Sequence, residues 1–274
     1  MKYILLTLLA MALCFFGGRV ILSFYEVHRR QHGKPPMERR RFTLLSLLCG
    51  LLLAAAVSLA YLLPYAPAED SALPYMEDSD AVTVTEAEHG YYFDGPGEEA
   101  AILFVPGAKV DETAYIPLLY RFAEEGMDVC LVKMPFHLAV FGIDKADEVM
   151  AGYEYESWYI GGHSLGGAMG AVYAAGHEDE LRGVVLLAAY ATKKLDDPLK
   201  EIVVYGSEDR VIRSGRLTEG RKFAPKKYVE HVIEGGNHAM FGNYGEQKGD
   251  GAGLITNNEQ QAETVRVVME AMGK

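Results

Sequence analysis

Trp158-Tyr159-Ile160-Gly161-Gly162-His163-Ser164-Leu165-Gly166-Gly167 is the stretch whose reading decides the fold. It opens as an apolar strand, turns at a serine, and runs into the small residues Ala168 to Ala175 at helical spacing. Its centre, Gly162 to Gly166, is G-x-S-x-G. So sharp a strand-to-helix turn strains the serine's backbone, and the residues two before and two after it must be tiny. The turn points the hydroxyl above the sheet and aims the next helix's N-terminus at it. A glycine-rich turn without chemistry is the plainer alternative, and the strand–turn–helix setting argues against it.

Outward from this turn, short apolar runs alternate with helical patterns. Val82–Thr85 and Tyr91–Phe93 read as an opening hairpin, and Ala100–Val105 as a buried strand stopped by Pro106-Gly107. Tyr115–Phe122 has helical spacing up to Gly126, Val129–Met134 is the next strand, and Val140–Met150 a short helix. Beyond the serine come strands at Val184–Ala189, Ile202–Tyr205 and Tyr228–Ile233. A closing helix, Thr256–Met272, has Thr256 as N-cap and Glu259 three residues on, the capping-box spacing. Unbroken Val/Ile/Leu strands are the mark of a sheet covered on both faces. The expected class is α/β: a mostly parallel sheet flanked by helices, with functional loops at the carboxyl ends of the strands.

A serine hydroxyl needs a base, and the base an orienting acid. In folds with this elbow both follow the serine, acid first. Asp209 stands just past the strand Ile202–Tyr205, with Glu208 beside it as the competing acid. Asp196 and Asp197, next to Pro198, read as a solvated turn. Gly235-Gly236-Asn237-His238 follows the last strand, and its glycines let the chain swing an imidazole over the sheet. Of the other histidines, His163 is turned away by the elbow, His231 lies inside a strand, and His137 precedes the serine. His238 is the expected base.

An oxyanion requires two preorganised N–H donors. Leu165 at the start of the elbow helix supplies one, and Ala108 after the first buried strand the other, since Pro106 has none. Lys109 is either a solvated charge or a contact to an anionic substrate group, while His137 and Phe241 are expected at the pocket. The segment from Ala239 to Gly253, aromatic and glycine-rich, is either a loose surface loop or a pocket wall or lid.

From Ala100 onward the chain resembles the α/β-hydrolase superfamily, and within it the small bacterial dienelactone-hydrolase-like group. The matching pieces are Phe104-Val105-Pro106-Gly107-Ala108, the elbow, Gly206-Ser207-Glu208-Asp209 and Gly236-Asn237-His238, in the family's order over about 140 residues. The resemblance implies hydrolysis of an ester, lactone or related acyl bond through an acyl-serine. Dienelactone hydrolases use cysteine where this chain has Ser164, so their substrate does not carry over. The same residues would serve an acyltransferase, with an alcohol in place of water. A non-catalytic interaction domain on a hydrolase scaffold is the reading of another class; it sits poorly with three filled roles. No His/Cys cluster with metal-ligand spacing and no dinucleotide fingerprint is present in the sequence, so no metal and no cofactor is expected.

The first 65 residues differ in kind. Phe42–Leu63 is 22 residues without a charge, and Tyr3–Tyr25 is interrupted only by Arg19. Either could be a buried core helix, but two such runs joined by one short loop point to a membrane hairpin. The loop, Glu26–Arg41, carries six Arg or Lys side chains, which would hold it in the cytoplasm and leave everything after the hairpin outside. Ala66-Pro67-Ala68 resembles a cleavage site, an alternative to an uncleaved anchor. The expected organisation is a hairpin over 1–65, a linker over 66–80 and a catalytic domain over 81–274.

Residues 1–68 carry 8 basic and 2 acidic side chains, residues 69–274 carry 18 and 36. A domain at −18 repels nucleic acid, so the expected partners are a membrane and a small acyl substrate. Cys130, the single cysteine after the hairpin, cannot form an internal disulfide, and the domain must stand on its core.

Overall fold

The computed structural model describes residues 2–274, which divide between Pro64 and Tyr65 into two compact units.

The first unit is a helical hairpin of α1 (Lys2–Gln31) and α2 (Arg39–Leu62). Gly18 and Gly50 let the two backbones meet: a Cβ on Gly18 would stand 2.3 Å from the Gly50 nitrogen. Small residues at such a crossing are what close packing of apolar helices needs. The loop is tied by Glu26, whose carboxylate accepts from the Met37 N–H at 2.9 Å and from Arg30 at 3.3 Å. Ala10–Gln31 and α2 are long and apolar enough to cross a membrane.

The second unit is built on an eight-stranded sheet ordered β1-β2-β4-β3-β5-β6-β7-β8. The strands are β1 (Thr83–Ala87), β2 (Gly90–Asp94), β3 (Ala100–Val105), β4 (Asp128–Val132), β5 (Ser157–His163), β6 (Leu181–Leu187), β7 (Lys200–Gly206) and β8 (Lys227–Ile233). β1 and β2 are antiparallel to each other and β2 to β4; all other pairings are parallel. This is the mostly parallel, helix-flanked sheet expected from the apolar runs.

Two apolar layers cover its faces. Phe104, Leu118, Phe122 and Val268 lie in the layer under α3 (Ile116–Glu124) and α7 (Asn257–Met272). Leu103, Ile160, Tyr173 and Leu186 lie in the other, under α5 (Leu165–Ala174) and α4 (Lys145–Ala151). Cys130 is buried in this second layer, as a small apolar side chain would be. Thr256 and Glu259 form the full capping box at the start of α7.

The register sets the carboxyl ends along one edge. Val105 pairs with Gly162, His163 with Leu187, Leu187 with Val204, and Gly206 with Ile233. The loops leaving β3, β5, β7 and β8 therefore open on the same side, which places the candidate site.

Three local expectations change. The helix expected over 140–150 is two pieces, a 3-10 turn Ala139–Phe141 and α4 from Lys145. A short helix, α6 (Ser214–Gly220), lies where none was expected. Residues 66–80, read from composition as a linker, are fastened to the unit's surface. Ala66 donates to the Lys109 carbonyl at 2.7 Å and accepts from the Asp111 N–H at 2.9 Å, and Asp70–Met76 forms a 3-10 turn with Ala72 buried.

Candidate active site

Ser164 stands at φ 52°, ψ −122°, between β5 and α5. That conformation is costly for any L side chain, and it persists because the surroundings leave no other path. Gly162 and Gly166 are what allow it. A Cβ on Gly162 would lie 2.7 Å from the Gly166 carbonyl carbon, and one on Gly166 would lie 2.2 Å from the Pro106 oxygen. The Ser164 N–H is held by the Leu187 carbonyl at 2.9 Å. The elbow is thus clamped by the strands on both sides of it.

His238 and Asp209 meet from separate loops. Nδ1 of His238 is 2.8 Å from Oδ2 of Asp209, with the two side chains 2% and 0% exposed. Oδ1 of Asp209 accepts from the N–H groups of Val211 and Ile212, each at 2.8 Å. A carboxylate so satisfied acts as an acceptor, so the shared proton sits on Nδ1 and the Nε2 lone pair is left as the basic atom. Nε2 is buried without a hydrogen-bond partner. Glu208, the competing acid, is not in this pair; its carboxylate faces the Ser207 hydroxyl at 3.5 Å.

β8 lies three strands from β5, roughly 14 Å at the usual strand spacing, so the chain after β8 must turn back to bring His238 to Ser164. Gly235, at φ 75°, makes the turn. Gln260 on α7 then grips the Asn237 peptide from both ends, accepting its N–H and donating to its carbonyl at 2.9 Å each. Ser164 and His238 line one cleft of about 260 Å³, walled by Leu165, Ala188, Ile212 and Arg213.

Leu165 is the first helical residue of α5, so its N–H lacks an intrahelical acceptor. In the turn after β3, Gly107 donates to the Tyr115 hydroxyl at 3.1 Å and Lys109 to the His137 carbonyl at 2.8 Å. Ala108 carries that turn's remaining N–H, and like Lys109 it is not among the residues lining the cleft.

His163 does point away from the cleft, into a buried chain of hydrogen bonds. Its Nε2–H donates to the His238 carbonyl at 3.0 Å, and its Nδ1 lies 2.8 Å from the Tyr115 hydroxyl, which also receives the Gly107 N–H. Burial, and secondarily the charge of His238, hold this imidazole well below its ordinary pKa, so it is neutral. One hydrogen-bonded path joins the turn after β3 to the backbone of His238.

The expected substrate contacts fare differently. Phe241 is fully buried, its ring 5.6 Å from that of His163, so it is a core residue and not a wall of the cleft. Its place next to His238 misled, because the chain dives inward there. Lys109 and His137 are absent from the cleft's lining and sit together beyond the turn after β3. His137 stacks on Tyr65 with ring centroids 4.0 Å apart, its Nδ1 3.3 Å from Glu112. Arg213, which sequence reasoning missed, does line the cleft; no motif singles it out.

Ala239–Gly253 is neither a loose loop nor a lid. Asp250 accepts from the Ala239 N–H at 3.0 Å through Oδ2 and from the Arg210 N–H at 3.2 Å through Oδ1. The Asn237 side chain donates to the Gly251 carbonyl at 2.9 Å. The segment is a strap across the neighbours of both Asp209 and His238. A buried amide or carboxylate in a glycine-rich stretch carries no spacing signal, and its role emerges only from the fold. Among the described residues, no group of three or more His, Cys, Asp or Glu side chains is arranged to hold a metal.

A mostly parallel sheet with helices on both faces and a strained serine elbow at its carboxyl edge defines an α/β hydrolase. The chain belongs to the alpha/beta hydrolase family, whose sequence profile matches residues 101–262. No curated protein matches it in sequence. Among solved structures it is similar to alpha/beta hydrolase domain-containing protein 10 from mouse, at 9% identity and TM-score 0.50, covering 70% of this chain and 98% of that one. It is also similar to a structure from Thermoplasma acidophilum described as a CIB-like hydrolase, at 16% identity and TM-score 0.50, covering 70% and 99%. At these identities the likeness is one of fold.

Proposed function

We propose that the protein is a membrane-anchored serine hydrolase that cleaves a carboxylic ester, lactone or related acyl bond. The observation that carries this reading is the buried Asp209–His238 pair, sharing a cleft with an elbow serine. Ser164 Oγ attacks the carbonyl carbon as its proton passes to Nε2 of His238. The oxyanion is received by the N–H groups of Leu165 and Ala108. Collapse expels the leaving alcohol, which takes the proton from His238 and leaves an acyl-serine. Water, deprotonated by His238, adds to the acyl carbon; the ester bond to Ser164 breaks, the serine regains its proton and the acid departs. Asp209 holds the imidazole in the tautomer both steps need.

The cleft supports the substrate class. Its walls are mainly small and apolar, with Arg213 the charged member, so it suits an uncharged acyl portion with a polar group at one end. The test is labelling of the full chain by a fluorophosphonate probe. Covalent capture that survives in the parent and vanishes in Ser164→Ala supports the reading, and an unlabelled parent with folded structure refutes it.

Anchoring rests on the two apolar helices, and orientation on the basic Glu26–Arg41 loop. In this reading the hydrolase unit faces the outer side of a cell membrane. Protease added to intact cells should remove it. Survival of the unit while added protease digests a known surface protein would reverse the orientation.

A further inference from the structure

Beside the turn after β3, the surface carries an apolar ridge that the catalytic reading does not use. Phe136, Val140 and Phe141 are 46%, 49% and 55% exposed, and the two phenylalanine rings meet edge to face at 6.1 Å. Phe136 and His137 both hold left-handed backbone, φ 54° and 51°, which aromatic side chains rarely adopt. Nothing in the unit covers the ridge, and large apolar side chains clustered in water signal a contact made elsewhere. The 3-10 turn that carries Val140 and Phe141 packs against α5, the helix that starts at the serine. The ridge is therefore linked to the candidate site through α5.

The chain itself says what covers it. Tyr65 stacks on His137, the residue after Phe136, and Ala66 is hydrogen-bonded to Lys109 and Asp111. α2 ends at Leu62. Four residues of chain reach at most ~14 Å. If α2 spans a bilayer, as the proposed function has it, that short tether keeps Tyr65, and with it the ridge, close to the lipid surface.

We infer that Phe136, Val140 and Phe141 dock on the lipid surface, and that the site is fed with amphiphilic acyl esters from the bilayer rather than from water. Aromatic and aliphatic side chains at the interface bury their apolar parts among headgroups and upper acyl carbons. A net charge of −18 over residues 69–274 makes electrostatic attraction to anionic lipid an unsuitable cause, so docking is apolar and insensitive to salt. The inference rests on the anchoring reading, and the experiment separates the two.

The full chain is reconstituted in phosphatidylcholine vesicles with Val140→Cys carrying a polarity-sensitive fluorophore, Cys14 and Cys49 replaced by serine. Thr218→Cys on α6, also exposed, carries the control label. Resistance to carbonate extraction first reports whether the hairpin is inserted. With insertion established, lipid-borne nitroxide should quench the label at position 140 at least ~3-fold more than that at 218, equally at low and high salt. Equal quenching at the two positions in inserted protein overturns the ridge contact and leaves the anchor standing. A blue-shifted label at 140 without lipid quenching would mean that protein covers it, which also overturns it. Extraction of the whole chain by carbonate refutes the anchor and the ridge contact together. As a second readout, the double variant Phe136→Ser/Phe141→Ser should raise KM about tenfold for a long-chain ester dispersed in the vesicles, leaving a soluble short-chain ester within about twofold. Equal effects on both substrates would overturn delivery from the bilayer.

Discussion

Nδ1 of His238 lies 2.8 Å from Oδ2 of Asp209, and the other oxygen of that carboxylate is held by two N–H groups, those of Val211 and Ile212. The acid is therefore fixed before it fixes the base. Its loop cannot rotate Glu208 into the same place without breaking both backbone bonds. Asp209→Asn should reverse the donor at this contact and leave Nε2 protonated. The expected loss in kcat is on the order of 10³–10⁴-fold with KM little changed. Glu208→Gln should stay within about threefold of the parent. Steady-state rates on a soluble ester decide between the two acids, and equal losses would remove Asp209 from its role.

Tyr115 serves two buried groups with one hydroxyl, accepting the Gly107 N–H and donating to Nδ1 of His163. Tyr115→Phe keeps the ring and strands both. Each unpaired buried group costs about 1–3 kcal/mol, so a clear drop in the urea midpoint is expected, with a slower enzyme as the turn beside Ala108 loosens. The neutral His163 also sets a pH dependence. Its folded pKa is depressed, so its contribution is whole above about pH 6.5 and falls away as the medium is acidified. Denaturation midpoints that stay flat from neutral pH down to mildly acid pH in a Glu201→Gln background, where the opposing titration of that carboxylate is removed, would contradict this.

The parts of the fold that were legible in the sequence are those set by burial on both faces. The five inner strands β3 to β7 announced themselves as apolar runs and the elbow by two glycines at fixed offsets from Ser164, whereas β1, β2 and β8 are partly exposed and were read from mixed patterns. The candidate acid and base followed from chain order and from the glycines before His238. What stayed hidden was set by contacts between distant segments. α6 has Leu217 as its one buried large apolar residue, too little for a periodic signal. Phe241 reads as a pocket aromatic until the chain is seen to turn inward at Ala239. Glu112, buried between Lys133 and His137, could not be told from a surface acid by its neighbours in sequence.

Glu201 points to a second pH effect of opposite sign. It is 1% exposed on β7, its Oε2 has no hydrogen-bond partner, and burial, with the charge of Glu230 added, raises its pKa from 4.5 to about 7. The folded state thus holds a proton that the unfolded chain has already released. Glu201's contribution is fully present below about pH 4.5 and is lost as the pH rises through 7. Glu201→Gln is neutral at every pH and keeps the shape. It should stabilise the protein at pH 8 by up to ~3 kcal/mol while changing little near pH 5. Thermal melts of the two proteins at both pH values test this, and an equal shift at each would show that ionisation is not the cause.

Asp250 joins the two loops that carry the proposed acid and base, although it comes after both of them in the chain. Its two oxygens hold the N–H of Arg210, which follows Asp209, and the N–H of Ala239, which follows His238. The backbone spacing between acid and base is therefore fixed by a second carboxylate that touches neither of them. Removing it leaves the chemical groups in place and loosens their alignment, and misplacement on the ångström scale costs a factor of up to ~10² in rate. Asp250→Ala should lower kcat by about 10- to 100-fold with KM nearly unchanged, because the cleft walls do not involve this residue. Asp250→Asn keeps one acceptor oxygen and should recover part of that loss. A simple structural defect would instead reduce the fraction of active enzyme, which titration with a fluorophosphonate counts directly. If both variants show parent kcat per titrated site, the strap does not position the pair.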